Sequence, residues 1–162
     1  MQKKLLLAIL LISSISGFAQ LKTTPVCPAF NVDILDGKIN DLNPASTVTQ
    51  IKEKFPCFTS SENEGTTSKC GSFAFYKDKG IYFYTGRDYV EIQAGFKGKL
   101  SIPLLGANRN SLFKWLGHPQ IKDVNWDAFQ MAYGTLILYY KAGKVNKLQI
   151  TTLGTSNIQL CE

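Results

Sequence analysis

The chain has only one histidine, His118. Any Ser–His or Cys–His catalytic arrangement would have to use it. It sits between Gly117 and Pro119 at the end of a helical pattern, where a cation suits the helix dipole. A role as general base is the competing reading. The G-x-S-x-G, phosphate-loop and H-E-x-x-H patterns are all missing. So is any C-x-x-C pair, which leaves no zinc-ligand spacing. Asp33, Asp36, Gly37 and Asp41 hint at a calcium loop, but their spacing fails and no Glu stands at the twelfth position. Glu62 and Glu64 read as a solvated pair in a polar loop. We therefore expect no catalytic, cofactor-binding or metal-binding residue, and no enzyme.

Concentrated charge is missing too. The formal net charge is +6, but Lys52, Lys54, Lys69, Lys77, Lys97, Lys114 and Lys141 are scattered. A nucleic-acid interface needs a basic patch or stripe, so no nucleic-acid partner is expected. The only long apolar run is at the start. Lys3 and Lys4 precede the apolar stretch Leu5 to Ile12, and Gly17-Phe18-Ala19 is a small-x-small cleavage site. Residues 1–19 read as a signal peptide. The apolar stretch is too short to span a bilayer, and no cysteine directly follows the cleavage site. The expected product is soluble, in a periplasm or outside the cell. About 140 residues remain, enough for one compact domain or two very small ones sharing a core.

Four cysteines lie beyond the signal, as suits an oxidising compartment. They allow three pairings. Cys57 and Cys70 flank the polar loop FTSSENEGTTSK, and Cys27 and Cys161 lie near the two ends. Loop position favours Cys57–Cys70 and Cys27–Cys161.

What the chain does have is a repeat. IYFYTGRDYVEIQ, from Ile81 to Gln93, lies without a gap on ILYYKAGKVNKLQ, from Ile137 to Gln149, at an offset of 56 positions. Gln93 meets Gln149, and Ile92 meets Leu148. A helix-like segment precedes each copy. In the first, Asn43-Pro44-Ala45-Ser46 opens it, Val48, Ile51 and Phe55 form its apolar stripe, and Pro56 stops it. In the second the stripe is Leu112, Phe113 and Leu116, ending at Gly117. Breaks at Lys79-Gly80 and Gly86-Arg87 divide Phe73 to Phe96 into three strands. Trp126 to Tyr133, Leu136 to Lys141 and Val145 to Thr152 repeat them. The expected fold is α+β: two tandem helix-plus-antiparallel-sheet units packed as one domain, over residues 20–98 and 99–162.

The second unit runs from Gly106-Ala107-Asn108-Arg109 through Trp115-Leu116-Gly117-His118-Pro119 to a hairpin closing on Gly143-Lys144-Val145. A helix ending in L-G-x-P, an aromatic strand and a hairpin closing on G-x-V resemble the BamE/SmpA-type outer-membrane assembly proteins. The same unit in tandem, secreted and with two disulfides, resembles the β-lactamase inhibitor protein-like fold. The resemblance implies a helical layer on antiparallel sheets and a binding role rather than catalysis.

Aromatic residues crowd the strands. If Ile81, Phe83, Ile137 and Tyr139 point inward, then Tyr82, Tyr84, Leu138 and Tyr140 point outward, because side chains alternate along a strand. The expected interaction surface is an exposed sheet face carrying Tyr82, Tyr84 and Tyr140, with Trp126 near its rim. The expected function is non-catalytic binding of a protein partner, in inhibition, immunity or envelope assembly. The alternative is a small-ligand-binding protein with its pocket between the two units.

Overall fold

The computed structural model describes residues 25–63, 65, 69–158 and 161. The signal-peptide reading of residues 1–19 lies outside them, as does Glu64. Among the described residues the chain forms eleven strands and two short α-helices. The first strands are β1 (Asn31–Asp33) and β2 (Lys38–Ile39), followed by helix α1 (Val48–Lys54). Next come β3 (Ser60–Glu62), β4 (Phe73–Tyr76), β5 (Ile81–Tyr84), β6 (Tyr89–Gln93) and β7 (Lys99–Leu100). Helix α2 (Phe113–Leu116) precedes β8 (Ile121–Lys122), β9 (Trp126–Met131), β10 (Gly134–Lys141) and β11 (Lys144–Thr151).

Eight strands make one antiparallel sheet in the order β3-β4-β5-β6-β11-β10-β9-β8, and β2-β1-β7 make a small second sheet. This corrects the expectation of two helix-plus-sheet units: the protein is mostly β, and both halves share one sheet. The repeat survives in that sheet. At its centre β6 and β11 run antiparallel with Ile92 opposite Leu148, Glu91 opposite Gln149 and Gln93 opposite Lys147. Shifting positions by 56 exchanges the two members of the first pair and turns each of the other two pairs into the other. An approximate two-fold axis therefore passes through the Ile92–Leu148 pair.

The helices break the repeat. Helix α1 has a complete capping box, with Thr47 and Gln50 each satisfying the other's backbone N–H. Its stripe is fully buried: Val48, Ile51 and Phe55 are each 0 % exposed. Tyr76 donates its hydroxyl to the Phe55 carbonyl at 2.6 Å, occupying one of the acceptors a helix leaves open at its C-terminus. Helix α2 has only four residues and no side-chain cap. A 3₁₀ turn at Arg109–Ser111 takes up the chain before it, and Gly117 stops it at a positive φ of 70°. Of its expected stripe only Leu112, the flanking residue, is buried; Phe113 is 58 % exposed.

The core lies between α1, the small sheet and one face of the large sheet. Phe30 stacks on Phe55 at 4.2 Å between ring centroids and meets Tyr76 at 5.1 Å. Ile81, Phe83, Val90, Ile92, Leu136, Leu138, Leu148 and Ile150 pave the sheet beneath. Gly37 has a φ of +65°, and a β-carbon there would sit 2.5 Å from the Tyr133 ring. Only glycine suits both conditions.

The disulfides are Cys27–Cys57 and Cys70–Cys161, with Cα separations of 5.4 and 5.5 Å. This corrects the Cys57–Cys70 and Cys27–Cys161 pairing. The reason is the β3–β4 hairpin, in which Ser60 lies opposite Phe75 and Glu62 opposite Phe73. Cys57 precedes β3 and Cys70 precedes β4. Antiparallel pairing carries them to opposite ends of the hairpin, beyond bridging reach.

Candidate functional site: the outer face of the large sheet

Side chains that alternate with the core residues form the second, outer face of the eight-stranded sheet. On β5 the parity is as expected: Ile81 and Phe83 are buried in the core, while Tyr82 and Tyr84 are half-buried on the other face. On β10 it is reversed. Leu136 and Leu138 belong to the core, and Ile137 and Tyr139 lie outward. The cause is a β-bulge. Tyr139 pairs with Lys147 and Tyr140 with Val145, so Asn146 is an extra residue. In the strand ladder Leu138, not Ile137, takes the place that Ile81 has in the first half.

The structure therefore brings Tyr82, Tyr84 and Trp126 to one face. Trp126 pairs with Tyr139, the register that fixes its side. Tyr140 is on the opposite face. Its hydroxyl donates to Asp127 Oδ2 at 2.7 Å, and its ring lies 4.6 Å from the Arg109 guanidinium.

Three zones divide the outer face. In the first half the rings form a continuous ladder. Phe73 stacks on Phe75 at 4.2 Å; Phe75 meets Tyr82 at 5.4 Å and Tyr84 at 4.9 Å; Tyr84 stacks on Tyr89 at 4.5 Å. Phe73, Phe75, Tyr82 and Tyr84 are partly exposed, while Tyr89 is buried, its hydroxyl accepting from the Cys161 backbone N–H at 3.3 Å. Burial raises the pKa of Tyr84, and the nearby Glu91 charge adds to it.

The central zone is polar and fully joined up. Glu91, 8 % exposed, accepts from Gln149 Nε2 and Gln93 Nε2, each at 2.9 Å, and its carboxylate lies 3.3 Å from Lys147 Nζ. Tyr139 donates its hydroxyl to Gln149 Oε1 at 3.0 Å, and the Lys147 ammonium stands 4.1 Å from the Tyr139 ring centroid. A buried carboxylate is tolerable only with such partners. The Gln93–Gln149 match in the repeat was the sequence signal for this zone.

In the third zone Trp126 and Tyr139 face the tail after β11. Together with Ile121, Ile137, Ser156 and Ile158 they line a cavity of about 320 Å³. All its described lining residues belong to the second half, so this cavity does not lie between the halves.

Sequence reading missed the Arg109–Asp127 pair on the inner side. Asp127 is 3 % exposed. Arg109 Nε donates to its Oδ2 at 3.0 Å and Nη2 to its Oδ1; the guanidinium also donates to the carbonyls of Val124 and Asp123. Asp127 holds the Arg109 pKa above its usual range. Burial first, then the hydrogen bond to Asp127, pushes the Tyr140 hydroxyl up. An acidic residue mid-strand between Trp126 and Ala128 was the available signal. His118 is exposed, with its ring 4.5 Å from Phe113.

Exposed large apolar side chains also occur away from the sheet face, at Phe113, Trp115 and Val124. Among the described residues no helix is long and apolar enough to cross a membrane. The two disulfides are consistent with an oxidising compartment. Known protein families, curated proteins and solved structures provide no match to this chain.

Proposed function

We propose that this is a non-catalytic binding protein of a periplasm or the extracellular space that engages a protein partner through the outer sheet face. The observation that carries the reading is the ladder of Phe73, Phe75, Tyr82 and Tyr84. These rings are partly exposed and already packed against one another, Phe73 stacked on Phe75 and the two tyrosines meeting Phe75 at an angle. Rings fixed in place on a sheet lose little rotamer freedom on binding. Tyrosine also brings area together with a hydroxyl that tolerates a half-wet position. Aromatic side chains of this kind dominate the energetics of protein interfaces. The neighbouring Glu91–Gln149–Lys147 zone supplies a polar border with its own hydrogen bonds satisfied.

The test is capture from envelope extract followed by affinity measurement with the purified partner. Tyr84→Ala should weaken binding by about 1–3 kcal/mol. Tyr140→Ala, on the opposite face, should leave affinity unchanged in whatever fraction folds. Equal losses from both substitutions would overturn the assignment of the face.

A further inference from the structure

We propose that the cavity beside Trp126 is a binding site for a small, neutral, planar molecule carrying a polar oxygen. This site is separate from the aromatic ladder and goes beyond a protein-binding role.

The approximate two-fold axis provides the comparison. Through the strand registers, and past the bulge, it relates Tyr82 to Tyr139 and Phe75 to Trp126. In the first half the space above this pair is filled by rings, with Phe75 packed against Phe73, Tyr82 and Tyr84. In the second half, among the described residues, no ring stacks on Trp126, and the equivalent space is the cavity of about 320 Å³. That volume is at the lower end of the range for small-molecule pockets.

The lining sets the chemistry. Its described side chains are two aromatic, three isoleucine and two hydroxyl residues, with no charge among them. A charged ligand would lose its hydration there without a partner. Trp126 offers a flat face for a second ring, which aromatic pairs favour in offset geometry. Tyr139 is held in position by its hydroxyl bond to Gln149 and by Lys147 at its ring. Thr155 is already engaged, its hydroxyl 3.2 Å from Gln130 Oε1. Ser156 is an exposed member of the lining, and its hydroxyl can bond a ligand hydroxyl or carbonyl.

The test is an NMR titration of the isotope-labelled chain with 2-naphthol, a neutral bicyclic probe with one hydroxyl. Saturable shifts are expected at Ile121, Ile137, Tyr139 and the Thr155–Ile158 segment. Trp126→Ala should weaken binding at least about tenfold. Ser156→Trp, a substitution at an exposed position that fills the mouth, should do the same in a chain with an unchanged spectrum elsewhere. Tyr82→Ala should leave the affinity as it was. Failure to saturate, shifts centred on Phe75 and Tyr82, or undiminished binding in Ser156→Trp would each overturn the proposal.

Discussion

Replacing Arg109 tests how much of the second half depends on one side chain. The guanidinium reaches Asp127 through Nε and Nη2, the Asp123 carbonyl also through Nη2 and the Val124 carbonyl through Nη1. Arg109→Ala leaves Asp127, 3 % exposed, with the Tyr140 hydroxyl at 2.7 Å as its remaining side-chain donor. Breaking a buried ion pair from one side costs about 3–5 kcal/mol. The arginine side chain is 22 % exposed and the tyrosine bond persists, so we expect a loss of about 2–4 kcal/mol. Asp127→Asn should cost less, about 1–2 kcal/mol, because Arg109 keeps its two carbonyl acceptors and can turn toward water. The assay is guanidinium denaturation followed by tryptophan fluorescence, with Trp126 adjacent to the altered residue. A loss below about 0.5 kcal/mol for Arg109→Ala, the range of ordinary surface changes, would refute the reasoning. So would a larger loss for Asp127→Asn than for Arg109→Ala.

Three further outcomes follow from the packing. Replacing Cys70 and Cys161 together by serine removes the bridge of sequence separation 91, whose loop-closure entropy corresponds to about 4.6 kcal/mol; non-reducing peptide mapping should still recover the Cys27–Cys57 peptide. Ile51→Ala should cost about 2–5 kcal/mol in chemical denaturation, whereas Phe113→Ala should stay within about 0.5 kcal/mol, because only the first side chain is buried. Burial raises the pKa of Tyr76, Tyr89, Tyr133 and Tyr140 above the ordinary tyrosine value. Ionising any of them therefore costs more in the folded state than in the unfolded chain, so this contribution to stability is fully present below about pH 10 and lost as pH rises toward the folded-state values. Denaturation midpoints measured from pH 8 to pH 11, with tyrosinate absorbance in parallel, should fall only at the alkaline end.

The strands from Phe73 to Gln93 and from Trp126 to Thr151 were legible because alternation and turn residues are local signals. The Ala142-Gly143 turn, with φ of 51° and 73°, also follows from its short hairpin context. Three features were not legible. The inward parity of Leu138 depends on one extra residue, Asn146, and a bulge leaves no mark in hydrophobic pattern. The stripe of Leu112, Phe113 and Leu116 has helical spacing, yet with no N-cap it forms one turn that buries little. The disulfide pairing depends on β3 folding back on β4, and Ser60-Ser61-Glu62 has no apolar alternation to announce a strand. The merging of the halves into one sheet was hidden for a similar reason. The repeat shows that β6 and β11 are alike, but not that they pair. Of the expected interaction residues, Tyr82 and Tyr84 follow from β5 parity alone. Trp126 joins them through its pairing with Tyr139, and Tyr140 is lost to the bulge.

The central claim is that the outer face of the first half binds a protein. Hydroxyl-radical footprinting of the native chain, free and saturated with its purified partner, tests it most directly. Phe73, Phe75, Tyr82 and Tyr84 should lose reactivity on binding, while Phe113, Trp115 and Tyr140 keep theirs. Protection confined to Phe113 and Trp115, with the ladder as reactive as in the free chain, would contradict the account.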